Sequence, residues 1–172
     1  MAGRSTNRRG LRSKTVATAA YTLGAVGVAF AATDWGVRDA LVFAALAVAL
    51  SFLAEAAVVR LGLLEHHVRP QVAGVPLAAL CGWVGVTTFV VRGAYLLEWY
   101  FPAWLPTPVL AGLFAVLVDG LVDQRGVDAG AWTYPDHPLS DPRSGDVPWW
   151  NYAGWLVLTA VLTWLAGLVG VP

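Results

Sequence analysis

The chain has 172 residues and no net formal charge; 58% of it is hydrophobic and only 13% is charged. A soluble domain of this size carries roughly a quarter of its residues as charges to keep its outer face solvated. A mean hydropathy of +0.62 excludes that, and lipid becomes the solvent for most of the surface. Zero net charge gives no global field to attract nucleic acid, so none is expected as a partner. The single Cys81 cannot form an internal disulfide and reads as a small packing residue.

Runs apolar enough to cross roughly 30 Å of hydrocarbon at 1.5 Å per residue fall at about 15–33, 39–60, 75–97, 107–124 and 150–170. They predict an all-α, polytopic bundle of five spans, with a basic tail over 1–14 and one transmembrane domain over 15–172. Ala29-Phe30-Ala31 resembles a signal-cleavage site and Arg8-Arg9 a twin-Arg signal, but the apolar stretch is long for a signal and reads as a first span. Small residues at Ala20/Gly24 and Ala40/Ala44 suit close helix packing in lipid. The breaks fall at Asp34-Trp35-Gly36, at His66 to Pro70, at Pro102 to Pro108, and along the polar stretch from Gln124 to Pro148.

Orientation follows from Lys and Arg. Arg4, Arg8, Arg9, Arg12 and Lys14 precede span 1, and five spans put Arg60, Arg69, Arg125 and Arg143 on the same side. Of the 11 basic residues only Arg38 and Arg92 fall on the other side. The N-terminus is therefore expected in the cytoplasm, and Arg92 is expected to snorkel to the outer interface.

A carboxylate inside a span costs about 2.5–3.5 kcal/mol on insertion scales and invites a functional explanation. Glu55 sits near the inner end of span 2, and Asp119 and Asp123 sit in the last turns of span 4, stacked on one helical face by their spacing. Two ionised carboxylates so placed repel, so the pair is expected to share a proton. The plainer reading is that they mark a helix end with Arg125 as partner. Other unusual residues gather at the same depth. Gly74-Val75-Pro76 turns into span 3, and Val147-Pro148-Trp149-Trp150-Asn151-Tyr152-Ala153-Gly154-Trp155 opens span 5. The 4–5 loop, with Trp132, Tyr134, Asp136, His137 and Asp141, is long enough to lid a cavity there.

In register, Ala54-Glu55 with Gly62, Gly74-Val75-Pro76-Leu77, Asp119-xxx-Asp123, Gly130-Ala131-Trp132 and Val147-Pro148 with Asn151-Tyr152-Ala153-Gly154-Trp155 resemble the carotenoid biosynthesis protein family, which includes the carotenoid hydratases of the bacterioruberin pathway. The likeness runs from about residue 50 to 157. A Tyr-rich stretch of that family reads Glu65-His66-His67-Val68 here. The resemblance implies hydration of a terminal C=C of an acyclic carotenoid to a tertiary alcohol, in the cell membrane, with the lipid-dissolved carotenoid, membrane lipid and other carotenoid-pathway enzymes as partners.

The residues suit that chemistry. Asp119, Asp123 and Glu55 are the candidate catalytic acids and bases. Asn151, Trp155, Trp132, Trp149, Pro76 and Trp83 are candidates for binding substrate and water, the Trp faces stabilising a cation. No cofactor is called for. No His-based metal site is expected either: His66 and His67, adjacent on a helix, would point apart, and His137 is remote. Two other readings compete. Asp119 and Asp123 could hold Mg²⁺ and a diphosphate in a prenyl-transfer enzyme, although Ala115 stands where such enzymes carry Asn. The chain could also bind carotenoid, or a pathway partner, without catalysis.

Overall fold

The computed structural model describes residues 2–171, with side chains from residue 11 onward. Five helices carry the chain: α1 (Ala2–Asp34), α2 (Val37–Arg60), α3 (Leu77–Leu97), α4 (Thr107–Asp128) and α5 (Trp149–Leu168). Each holds a segment long and apolar enough to cross a membrane, so this is an all-α, multi-pass membrane protein. The expected basic tail is the first part of α1 and continuous with the first span. The side chains of Arg4, Arg8 and Arg9, on which the orientation reading leans, lie outside the described residues.

The helix ends depart from the apolar runs for a physical reason. Hydropathy marks where lipid ends, whereas a helix runs on while its backbone bonds are satisfied. Thus α4 continues past residue 124 to Asp128, its polar Gln124, Arg125 and Asp128 reaching toward water, and stops where Ala129 N–H donates to the Arg125 carbonyl at 3.0 Å. At the start of α3 the opposite holds. Val75–Pro76 forms a short strand, β3, paired with β2 (Gln71–Val72), so the helix begins only at Leu77.

These strands belong to a duplication. At the end of α2, Leu61, Gly62 and Leu63 donate N–H to Ala57, Val59 and Val58 carbonyls; at the end of α4, Ala129, Gly130 and Ala131 donate to Arg125, Val127 and Gly126. The two glycines have φ of 71° and 70°. Each unit then makes a hairpin, β2–β3 in the first and β5 (Arg143–Ser144) with β6 (Val147–Pro148) in the second, opened by the cis bonds Arg69–Pro70 and Asp141–Pro142. Each hairpin leads through Val-Pro into a helix whose first N–H bonds the proline carbonyl at 3.0 Å, Leu77 to Pro70 and Trp149 to Pro142. The strands that follow α2 and α4, β1 (Glu65–His66) and β4 (Trp132–Thr133), pair antiparallel with each other. Trp83 of α3 stacks on its counterpart Trp155 of α5, centroids 3.6 Å apart. The α2–α3 and α4–α5 units are thus related by a local two-fold axis passing between these strands and these rings.

Helix α1 lies outside the duplication and packs on α3. The crossing is as close as backbones allow: a methyl on Gly24 would stand 2.7 Å from the Cys81 carbonyl oxygen, and one on Gly85 2.6 Å from Leu23 backbone. Ala20, of the expected small-residue pair, meets α3 at Gly82. At the far end of the same interface Arg92 does not snorkel free. Its Nε sits 2.6 Å from Asp34 Oδ2, a partner that the sequence places in a separate break. The core, with Phe43, Val91, Leu110 and Leu162 among its buried members, joins α2 through α5.

Candidate functional site

Near the hairpin end of the bundle lies a cavity of about 460 Å³, walled mainly by apolar side chains of α1 and α3. It sits within the range of pockets that enclose a small organic molecule. Its polar lining is a few groups and, at the rim, Arg125. Glu55 comes from α2, Asp119 and Asp123 from α4, Asn151 from α5, and His66 and Tyr134 from the segments that follow α2 and α4.

Glu55 points inward one to two turns before the end of α2. Trp83 Nε1–H donates to its Oε1 at 2.9 Å, and His66 Nε2 lies 2.8 Å from its Oε2. The His66 side chain is only 5% exposed. It is held there because β1 pairs with β4, which sets His66 opposite Trp132.

Across the cavity Asp119 and Asp123 lie on one face of α4, both buried. The amide of Asn151, in the first turn of α5, bridges them, its Nδ2–H₂ 2.8 Å from Asp119 Oδ2 and 3.4 Å from Asp123 Oδ2. Tyr134 O–H donates to Asp123 Oδ2 at 2.8 Å. Burial first, and then the negative charge of Asp123, push the Tyr134 phenol well above its ordinary value near 10, so it remains a donor at any working pH. Glu55 lies close enough to act electrostatically on both aspartates.

The duplication extends to these contacts. Glu55 and Asp123 are counterparts on α2 and α4, and His66 and Tyr134 are counterparts on the segments that follow. Each acid is therefore met by a side chain from the same place in its own unit. The counterparts of Asp119 and Asn151 are Ser51 and Ala79, which carry no charge.

The aromatic residues divide. Trp83, Trp155 and Trp132 line the cavity, as does Pro76. Trp83 and Trp155 stack on each other, which removes one face of each ring, and Trp83 is only 8% exposed. Trp132 lies flat against α4 at Gly126, where any Cβ would collide with its ring. Its buried Nε1–H lies beside Asp123 without closing a hydrogen bond. Trp149, expected on the wall, is off it: it is half exposed and donates Nε1–H to the Leu139 carbonyl at 3.1 Å. Two residues before Asn151 on a helix, it faces nearly the opposite way.

The 4–5 loop divides as well. Tyr134 reaches the cavity, whereas Asp136, His137 and Asp141 border a separate shallow depression with Arg143. Arg125, the partner expected if the aspartates only marked a helix end, is exposed at the cavity rim, and among the described residues it pairs with neither.

His66 is the residue the sequence concealed. Placed by the sequence in an interfacial break and read as needing no ligand, it lies on a strand, turned toward Glu55, while His67 turns away to Thr133 Oγ1 at 3.1 Å. Its one sequence signal is its place where the resembling family carries a Tyr-rich stretch.

Helix α1 packs on α3 and α2, and α4 packs on α5 and α3. Val122 of α4 lines the cavity and is 48% exposed.

No family model, no curated protein and no solved structure matches this chain.

Proposed function

We propose that this chain is an enzyme of carotenoid biosynthesis in the cell membrane, which adds water across the terminal C=C of an acyclic carotenoid to give a tertiary alcohol. The observation that carries the reading is one largely apolar cavity among candidate membrane-spanning helices, onto which Glu55, Asp119, Asp123 and Asn151 converge from three helices. A lipid-dissolved polyene needs such a chamber inside the bilayer. Markovnikov hydration needs an acid, a base and a held water, and the cavity's few polar groups are of those kinds. The Trp rings that line the cavity supply quadrupole stabilisation of a tertiary cation, up to about 2 kcal/mol for a desolvated contact. The resemblance of the motif series to the carotenoid biosynthesis family points the same way. The N-terminus and the hairpin end face the cytoplasm in this reading. Labelling should then place the N-terminus and the 125–148 loop on one side and residue 172 on the other; finding both termini on one side removes the five-span topology.

The apolar lining equally suits a protein that holds carotenoid, or presents it to a pathway partner, without catalysis. Such a protein has no use for titratable acids. Asp119→Asn, Asp123→Asn and Glu55→Gln, made in a carotenoid-producing host, should each leave the protein in the membrane and lower the ratio of alcohol to precursor at least about a hundredfold, the scale of one acid–base group. Unchanged alcohol in all three would remove the catalytic reading and leave the carrier.

A further inference from the structure

Hydration requires one group to give a proton and another to take one, and the two walls of the cavity are equipped differently. On the α2 side both oxygens of Glu55 are already engaged, Oε1 by the donor Trp83 Nε1–H at 2.9 Å and Oε2 by the His66 ring nitrogen at 2.8 Å. Donors fixed in this way stabilise the charge that develops as a proton leaves, and they need no rearrangement to do so. On the α4 side Asp119 Oδ2 takes the Asn151 amide, while among the described residues no donor reaches Asp119 Oδ1 or Asn151 Oδ1. The Asn151 amide is oriented by the carboxylates it faces, which turns its carbonyl oxygen away from them. Two free acceptors on neighbouring side chains suit the two O–H groups of one water. The α2 wall has no such station. Ser51, the counterpart of Asp119, bonds back to the Val48 carbonyl of its own helix, and Ala79 replaces Asn151.

We infer, resting on the hydration reading above, that the two walls divide the reaction: Glu55, positioned by His66 and Trp83, delivers the proton, and Asp119 with Asn151 holds the water and receives its proton. The proton shared by Glu55 and His66 passes to the CH carbon of a trisubstituted terminal alkene. The π pair forms that C–H bond, leaving a tertiary cation on the dimethyl carbon. A lone pair of the water forms the C–O bond, one water O–H breaks, and its proton goes to Asp119. The product is the tertiary alcohol. Asp119 has gained the one proton that the Glu55–His66 pair has lost, so its return, directly or through solvent, completes the cycle with no oxidant or reductant. Asp123, tied to Tyr134 and Asn151, keeps Asn151 in place.

Incubation in D₂O separates the two roles. The purified protein, in phospholipid vesicles loaded with an acyclic carotenoid, would be assayed by mass spectrometry of both alcohol and recovered alkene. The active protein puts one deuterium on the carbon beside the hydroxyl-bearing carbon. Asp119→Asn should form the cation without capturing it. Alcohol then falls at least about a hundredfold, while deuterium builds up in the alkene as the cation sheds a neighbouring proton. Glu55→Gln should yield neither alcohol nor deuterated alkene. His66→Gln, which keeps an amide donor for Glu55, should retain more alkene deuteration than His66→Leu. Trp83→Phe keeps a ring against Trp155 but loses the donor, and should lower deuteration and alcohol together. It decides the matter if the His66 variants do not fold.

Deuterated alkene from Glu55→Gln at the level of the unaltered protein, or deuteration abolished by Asp119→Asn, overturns the division of roles while leaving hydration intact. Failure of the unaltered protein to hydrate any acyclic carotenoid overturns the hydration reading itself, and the division with it.

Discussion

The α2–α3 and α4–α5 units share a frame and differ in what they bury. Helix stop, hairpin, Val-Pro and the stacked Trp agree in both. The differences lie where side chains meet the cavity. Ser51 stands opposite Asp119 and Ala79 opposite Asn151, with Glu55 and His66 opposite Asp123 and Tyr134. Even the packing beneath is complementary: Gly126 takes the broad Trp132, whereas its counterpart Val58 packs near the smaller Leu64. A duplicated scaffold supplies two equivalent acid positions at one depth. Loading one unit with an extra Asp and Asn then makes the two walls chemically unequal without altering the backbone that holds them.

The strongest way to break that inequality is to copy the polar pair across. Ser51→Asp puts a carboxylate where the first unit offers no partner. It should reduce membrane insertion or stability by about 3 kcal/mol, the scale of an acid within a span. Adding Ala79→Asn should recover part of that loss, because it rebuilds the amide contact that Asp119 enjoys. Thermal unfolding in lipid nanodiscs measures both, and no recovery in the double variant would show that the walls are not interchangeable at this level.

A smaller effect is expected beneath Trp132. Gly126→Ala forces the ring off α4, which should cost about 1–3 kcal/mol as overpacking does and should change the Trp fluorescence. Val58→Ala, its counterpart, removes atoms instead and should leave that fluorescence unchanged.

The smallest effect sharpens the His66/Tyr134 comparison. The raised Tyr134 phenol remains protonated in the folded protein while an unfolded Tyr ionises near its ordinary value. Its contribution to stability is therefore complete below about pH 10 and is lost as pH rises from there toward the folded-state value. Tyr134→Phe should lower the unfolding temperature at pH 8 by a few degrees and should abolish its own share of the alkaline decline. An identical decline in the variant would assign it to the other tyrosines.

Much of this was legible in the sequence, for reasons that differ by residue. The five spans are visible because the apolar runs are long and sharply broken. Glu55, Asp119, Asp123 and Asn151 could be placed at one depth from chain direction alone, and the structure does bring all four to one cavity. Helix termini were less visible because backbone bonding outlasts the apolar run, as at Asp128. The His66–Glu55 contact was hidden because it depends on β1 pairing with β4, a register set by segments far apart in the chain. The duplication itself was masked by the substitutions that give it meaning: with Glu for Asp and His for Tyr, the common residues are scattered ones such as Gly62/Gly130, Pro70/Pro142, Val-Pro and Gly-Trp.

Val122 lines the chamber from α4, is itself half exposed, and sits on a helix long and apolar enough to cross a membrane. Acyl chains that reach it touch the chamber's own lining, and their order and length then bear on its width. Lipid composition therefore belongs among the variables of any assay, alongside pH and temperature.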